Sequence, residues 1–188
     1  MNIKDALIVV DMQNDFINGA LANKAAEAIV DDIVDKIREY KAQNRYIILT
    51  RDTHGINYDD TLEGKHLPVK HCIVYTDGWM LHPKINDEIK NYRHAICINK
   101  NKFAADWQYA NRELTDLLDG LDKIDKKCIE ICGTCTDICV VSNALELKRL
   151  FDHSEIYVDA NCCAGTTEEN HRAALITMKN CQIIVDNL

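Results

Sequence analysis

Proline and glycine are scarce in this chain, with 2 and 7 among 188 residues, which excludes a collagen-like repeat and a linker-rich design. No apolar run approaches the roughly 20 residues that a bilayer-spanning helix needs. Positive charge is not in excess either: 22 basic residues stand against 30 acidic ones, for a net charge of −8. A field of that sign repels phosphate backbones, so nucleic acid is not an expected partner. The first residues lack a basic segment followed by an apolar one, and the first apolar run stops at Asp11. Without an export signal or a membrane span, the expected location is the cytoplasm. Disorder is excluded by an ordinary globular balance of 47% hydrophobic and 28% charged residues.

What the chain does have is the length of one domain, expected to span residues 1–188, and nine cysteines. An odd count and no export signal argue against a disulfide framework. Cys97, Cys128 and Cys132 sit within apolar runs, where a thiol serves as a small buried hydrophobe.

Apolar runs at Ala6–Val10, Tyr46–Leu49, Ala95–Ile98, Lys127–Cys132, Glu155–Val158 and Gln182–Val185 read as six strands, the first three buried on both faces. Helical patterns lie between them at Lys24–Gln43, Asn86–Asn91, Gln108–Leu118, Asp137–Phe151 and Glu168–Asn180. That alternation predicts an α/β fold, a three-layer α/β/α sandwich around a mostly parallel six-stranded sheet. The stretch from Asp52 to Pro83 has little periodicity and holds both prolines and four of the seven histidines. A loop of that length inside a compact domain is usually functional.

Reactive groups of open parallel sheets gather beyond the carboxyl ends of the strands. Asp11 follows the first strand, Asp52 and His54 the second, Lys100 the third, and Gly133-Thr-Cys-Thr-Asp-Ile-Cys139 the fourth. Thr136 is placed to cap the next helix, which sets Cys139 in a first turn whose free N–H groups favour a thiolate and can receive an oxyanion. Asp11 reads either as a paired buried acid or as a cap of the following turn. Lys100 has a neighbouring rival in Lys102. Together, Asp, Lys and Cys supply a proton carrier, a cation and a nucleophile.

Asp52 and His54 alternate so that both side chains point one way, and Glu63 and His71 follow in the same loop. Two imidazoles and two carboxylates suit a divalent Zn, Mn or Fe ion. His66 and His82 compete for the same role on local grounds. A second candidate is the thiolate series Cys132, Cys135 and Cys139, which resembles a metal or redox cluster. His94, His153 and His171 read as solvated or packing residues.

Six segments together resemble the isochorismatase-like cysteine hydrolases, and within them the nicotinamidase/pyrazinamidase branch. They are ALIVVDMQNDFINGAL (6–21), TRDTH (50–54), EGKHLPVKHC (63–72), KNKFAA (100–105), GTCTDICV (133–140) and DANCCAGTT (159–167). The resemblance implies hydrolysis of a small amide, foremost nicotinamide to nicotinate and ammonia. It assigns Cys139 as nucleophile, Asp11 as acid/base and Lys100 as the catalytic lysine. It also implies a cis peptide between Thr134 and Cys135, with the backbone N–H groups of Cys135 and Cys139 as oxyanion donors. Asp52, His54, Glu63 and His71 become ligands of a divalent metal, and a homo-oligomer is expected. Phe16, Thr134 and Trp107 are the expected pocket residues. Three departures bear on the substrate. Leu67 stands where an aromatic residue often precedes the proline, leaving Trp107, Trp79 or Tyr58 to partner Phe16. A Cys occupies position 135, and Asp106 sets a carboxylate near the pocket wall. Another amide or ureido compound is the alternative substrate, and a non-catalytic thiol or metal-binding module is the alternative class.

Overall fold

The computed structural model describes residues 4–108, 128–151 and 153–188. Six strands form one parallel sheet: β1 (Ala6–Val10), β2 (Tyr46–Asp52), β3 (Ala95–Lys100), β4 (Cys128–Thr134), β5 (Glu155–Ala164) and β6 (Ile184–Asp186). Their order is β3-β2-β1-β4-β5-β6, so the chain winds outward in one direction from β1 and in the other from β4. Helix Val30–Ala42 packs on helix Pro83–Ile89, and helix Val141–Leu150 packs on helix Glu168–Asn180. Right-handed crossovers set these two pairs on opposite faces, which yields the expected three layers.

The central strands are apolar because both of their faces are covered. Leu7, Val9, Val10, Ile47, Leu49 and Ile131 are fully buried. β3 departs from the sequence reading, since it lies at the sheet edge and only Lys100 along it is buried. Cys97 is accordingly exposed, not a core thiol, whereas Cys128 and Cys132 are buried as expected.

The single helix expected over Lys24–Gln43 divides at Ile29 into Lys24–Ala28 and Val30–Ala42. The reason is in the burial: the first piece buries only Ala26, and the apolar stripe Val30, Ile33, Val34, Ile37 and Tyr40 belongs to the second. Asn23 and Thr167 cap their helices, accepting hydrogen bonds from the N–H groups of Ala25 and Asn170. The helix expected over Gln108–Leu118 lies almost wholly outside the described residues. Among the described residues, no helix is long and apolar enough to cross a membrane.

Candidate active site

The reversal of winding between β1 and β4 opens a crevice beyond the carboxyl ends of those strands, where ligands of open α/β sheets bind. Val10 is in register with both Thr50 and Gly133, so three strand ends meet there. Asp11, the next residue, is fully buried. Its φ of 49° lies in the left-handed region that few residues other than glycine, asparagine and aspartate adopt. Its Oδ1 accepts a 2.7 Å hydrogen bond from the Thr50 hydroxyl, and its Oδ2 lies 2.7 Å from the Lys100 Nζ. Asp11 therefore acts as a paired buried acid rather than a turn cap. Lys100 is in register with Asp52, and their charges lie 3.6 Å apart. Lys102 is exposed, so the register of β3 settles which lysine enters the cluster.

β4 delivers the thiol. Gly133 has a φ of +121°, and a Cβ there would fall 2.2 Å from the Val10 carbonyl oxygen, so only glycine lets these strands pair this closely. The Thr134–Cys135 peptide is cis. One π-helical turn, Thr136–Val140, then leads into helix Val141–Leu150. The Cys139 Sγ lies 3.5 Å from Lys100 Nζ. Thr136 is not the cap expected of it: Cys135 holds that position, and the Thr136 hydroxyl is engaged with His171 Nδ1 at 2.8 Å.

The electrostatics around Cys139 are mixed. Burial pushes the Cys139 thiol well above its ordinary range, and the Asp11 charge adds to this while Lys100 opposes it. Desolvation thus works against the preference for a thiolate that the turn's free N–H groups supply. Burial raises Asp11 as well, with Lys100 partly offsetting it. Burial alone would lower Lys100, but attraction to Asp11 reverses the sign and keeps the ammonium charged. The Asp11 carboxylate and the Lys100 ammonium are the charged groups that act on this thiol most strongly.

Beside this cluster stand Asp52, His54, Glu63 and His71, each offering one ligand atom within 4.8 Å of the others. His54 Nε2 is 2.9 Å and His71 Nε2 3.4 Å from Asp52 Oδ2, and Glu63 Oε1 lies 3.6 Å from His54 Nε2. His71 Nδ1 faces the Val69 carbonyl at 2.8 Å, which fixes the ring with Nε2 toward the carboxylates. The donor set fits a borderline divalent ion. Burial would raise Asp52, yet hydrogen bonds with the two histidines and the Lys100 charge hold it well below the usual carboxylate range. Among the described residues no other such group forms. Cys132, Cys135 and Cys139 do not gather as ligands, and neither His66 nor His82 joins the four. Sequence reasoning gave no role to two residues that brace this group. Gln13 clasps the Asp52 backbone, and the Asp15 carboxylate accepts the Cys72 N–H at 2.7 Å.

A cavity of about 410 Å³ opens onto both clusters, with Phe16, Leu21, Leu67, Phe103 and Ile138 as its apolar wall and Cys135, Cys139 and His71 also lining it. Phe16 lines it as expected; Thr134 and Trp107 do not. The fully buried Thr134 donates to the Ala164 carbonyl, and the Trp107 indole donates to Asn143 in the core. Trp79 and Tyr58 are buried outside the lining, and Asp106 lines a separate groove with Thr53 and Asn99. Phe103 was missed although it is the aromatic residue of the lysine segment, a usable signal. Leu21 and Ile138 carried none.

A parallel sheet with a buried thiol, its carboxylate and ammonium partners and a ligand cluster on one cavity defines an enzyme of α/β fold. The family is then plain: the isochorismatase domain profile matches residues 5–187, and the chain belongs to the isochorismatase family. The nicotinamidase/pyrazinamidase of Mycobacterium tuberculosis is 28% identical over 185 residues, covering 95% of this chain and 96% of that protein. A nicotinamidase of Saccharomyces cerevisiae is 27% identical over 187 residues, covering 81% and 85%. The crystal structure of a nicotinamidase/pyrazinamidase from Bacillus subtilis aligns with a TM-score of 0.79 at 27% identity over 97% of this chain and 99% of that one. The pyrazinamidase of Pyrococcus horikoshii, solved in complex with zinc, aligns with a TM-score of 0.75 at 26% identity over 99% and 100%.

Proposed function

We propose that this protein is an amidohydrolase that converts nicotinamide and water to nicotinate and ammonia through a thioester on Cys139. One observation carries the reading: Lys100 Nζ lies 2.7 Å from the Asp11 carboxylate and 3.5 Å from the Cys139 sulfur, beside the cavity that Cys139 lines. Asp11 takes the thiol proton, and the sulfur attacks the amide carbon. The backbone N–H groups of Cys135 and Cys139 receive the oxyanion; a donor in such a hole is worth about 3–4 kcal/mol. As the C–N bond breaks, Asp11 passes the proton to the leaving ammonia. Asp11 then takes a proton from water, the hydroxide attacks the thioester, and the C–S bond breaks with the proton returning to sulfur. Lys100 holds Asp11 in place and stabilises whichever anion is present.

Asp52, His54, Glu63 and His71 would hold a divalent ion, which when bound supplies a Lewis-acid site that orients the substrate. The zinc complex of the Pyrococcus horikoshii relative supports this assignment. The apolar wall suits a flat ring, with Phe16 and Phe103 as its aromatic members. A second reading, another small amide or ureido compound, is favoured by Leu67 in that wall.

Ammonia release from nicotinamide by the purified protein is the test, run beside Cys139→Ala. Turnover by the wild type and none by the variant supports the reading. Preference for a different amide moves the substrate to the second one, and full activity in Cys139→Ala overturns the thioester.

A further inference from the structure

We propose that Asn143 is a positioning residue for this reaction, fixing the backbone of the Cys139 turn against the segment that follows Lys100. The inference rests on Cys139 being the nucleophile. Asn143 is fully buried on the helix that continues the Cys139 turn, four residues further along and so on the same face. Its Nδ2 donates to the Cys139 carbonyl at 2.7 Å and to the Phe103 carbonyl at 3.1 Å. Its Oδ1 accepts from the Ala105 N–H at 3.0 Å and from the Trp107 indole N–H at 2.8 Å. A side-chain amide has two N–H donors and two oxygen lone pairs, and here all four are used.

The arrangement answers a geometric problem. Lys100 ends the edge strand β3, whereas Cys139 follows β4, with β2 and β1 between them. Sheet hydrogen bonds fix strand ends, but they do not fix a turn beyond one strand against a loop beyond another. Asn143 does this directly, because one rigid amide holds the nucleophile's own carbonyl and both ends of the Phe103–Ala105 stretch. Phe103 belongs to the cavity wall, so the same group relates thiol, ammonium-bearing segment and substrate contact. It also explains the scarce, buried Trp107, whose indole serves Asn143 and not the substrate. No other natural side chain of this size offers two donors and two acceptors, and misplacements near 1 Å can cost about a hundredfold in rate.

The test compares Asn143→Asp, which keeps the acceptor side and loses donors to Cys139 and Phe103, with Trp107→Phe, which removes the indole donor to Asn143 and some core packing but leaves both donors of the amide in place. Asn143→Asp is expected to lose about 10- to 100-fold in kcat. It should also raise KM through the loosened Phe103, and slow alkylation of Cys139 by iodoacetamide. Trp107→Phe is expected to keep kcat within about threefold even where its melting temperature falls as far, since the donors that fix the turn remain. Equal kcat losses in the two variants at equal loss of stability, or a folded Asn143→Asp with wild-type kcat, would overturn the proposal. Should Asn143→Asp not fold, the wild type suffices: the Asn143 side-chain amide resonances should be exchange-protected and should shift when Cys139 is alkylated. Unprotected or unmoved resonances count against the role. Cys139→Ala separates the two levels, because an active Cys139→Ala sinks the catalytic reading, whereas an inactive one beside a normal Asn143→Asp sinks only this inference.

Discussion

Gln13 grips the backbone of Asp52 on both sides of its Cα, its Nε2 donating to the Asp52 carbonyl at 2.8 Å and its Oε1 accepting from the Asp52 N–H at 2.7 Å. Both residues are buried, and Asp52 stands at the junction of the ligand cluster and the Lys100 ammonium. Replacing Gln13 with leucine takes this partner from one buried donor and two buried acceptors, the second being the Trp79 carbonyl at 2.9 Å, a cost of about 1–3 kcal/mol for each group left unpaired. We expect Gln13→Leu to unfold at lower urea and, as purified, to carry less divalent metal by elemental analysis. Unchanged metal content would show that Asp52 holds its place without this clasp.

The Asp11–Lys100 pair predicts an asymmetry between single and double substitutions. Lys100→Met strands a buried carboxylate, which should cost about 3–5 kcal/mol, and removes at least a hundredfold of the activity. Asp11→Asn combined with Lys100→Met removes the stranded Asp11 charge and leaves Asp52 to its two histidine partners, so it should regain part of the stability but none of the turnover. Urea melts of Lys100→Met, Asp11→Asn and the double variant, read as a double-mutant cycle, check this.

Two thiols line the cavity, and their roles differ by chemistry. On the proposed mechanism Cys139→Ala removes the attacking sulfur and is expected to lower kcat by at least about 10⁴-fold. Cys135 contributes a backbone N–H that every residue except proline supplies, so Cys135→Ala should stay within about tenfold of the wild type. Ammonia release measured for both variants decides the assignment, and a reversed order would move the nucleophile to position 135.

Away from the site, Asp159 and Lys36 make stability depend on acid. Burial would raise Asp159, but the Lys36 ammonium at 2.8 Å and a hydrogen bond from Asn187 hold its carboxyl below 3.8. The unfolded chain therefore binds the proton more readily than the folded one. This contribution is complete above pH 3.8 and disappears as pH falls through the lower, folded value. Asp159→Asn should flatten the acid limb of stability against pH, measured by urea melts below pH 5 on a scale where ordinary carboxylates titrate near 4.

The six strands and the rim they share were legible because each strand is a distinct apolar run, and Asp11, Lys100 and the Cys139 turn lie just beyond where those runs stop; the order of the strands was not, and choosing Lys100 over Lys102 needed the resemblance. The ligand set was legible as residue types; choosing His71 over His66 and His82 needed the resemblance. Direction was not legible. Trp107 and Thr134 are close to the chemistry in sequence but turn inward to satisfy the Asn143 amide and the Ala164 carbonyl. The Thr136 hydroxyl was spent on His171, a partner 35 residues away that no local pattern announces. Cys97 failed for a similar reason, since an edge strand has the same composition as a central one until its neighbours are counted. Gln13 acts through such long-range partners, and Asp15 and Asn143 do so in part, through Cys72 and through the Phe103–Trp107 segment.

The two directions of winding have a kinetic corollary. The acid and the ammonium are carried by the half of the sheet built outward from β1, and the sulfur by the half built outward from β4. Neither half alone contains a complete set, so catalytic competence arises only once the seam at Gly133 has closed. During refolding from denaturant, regained turnover should trail regained helical signal, and the lag between them would time the meeting of the two halves.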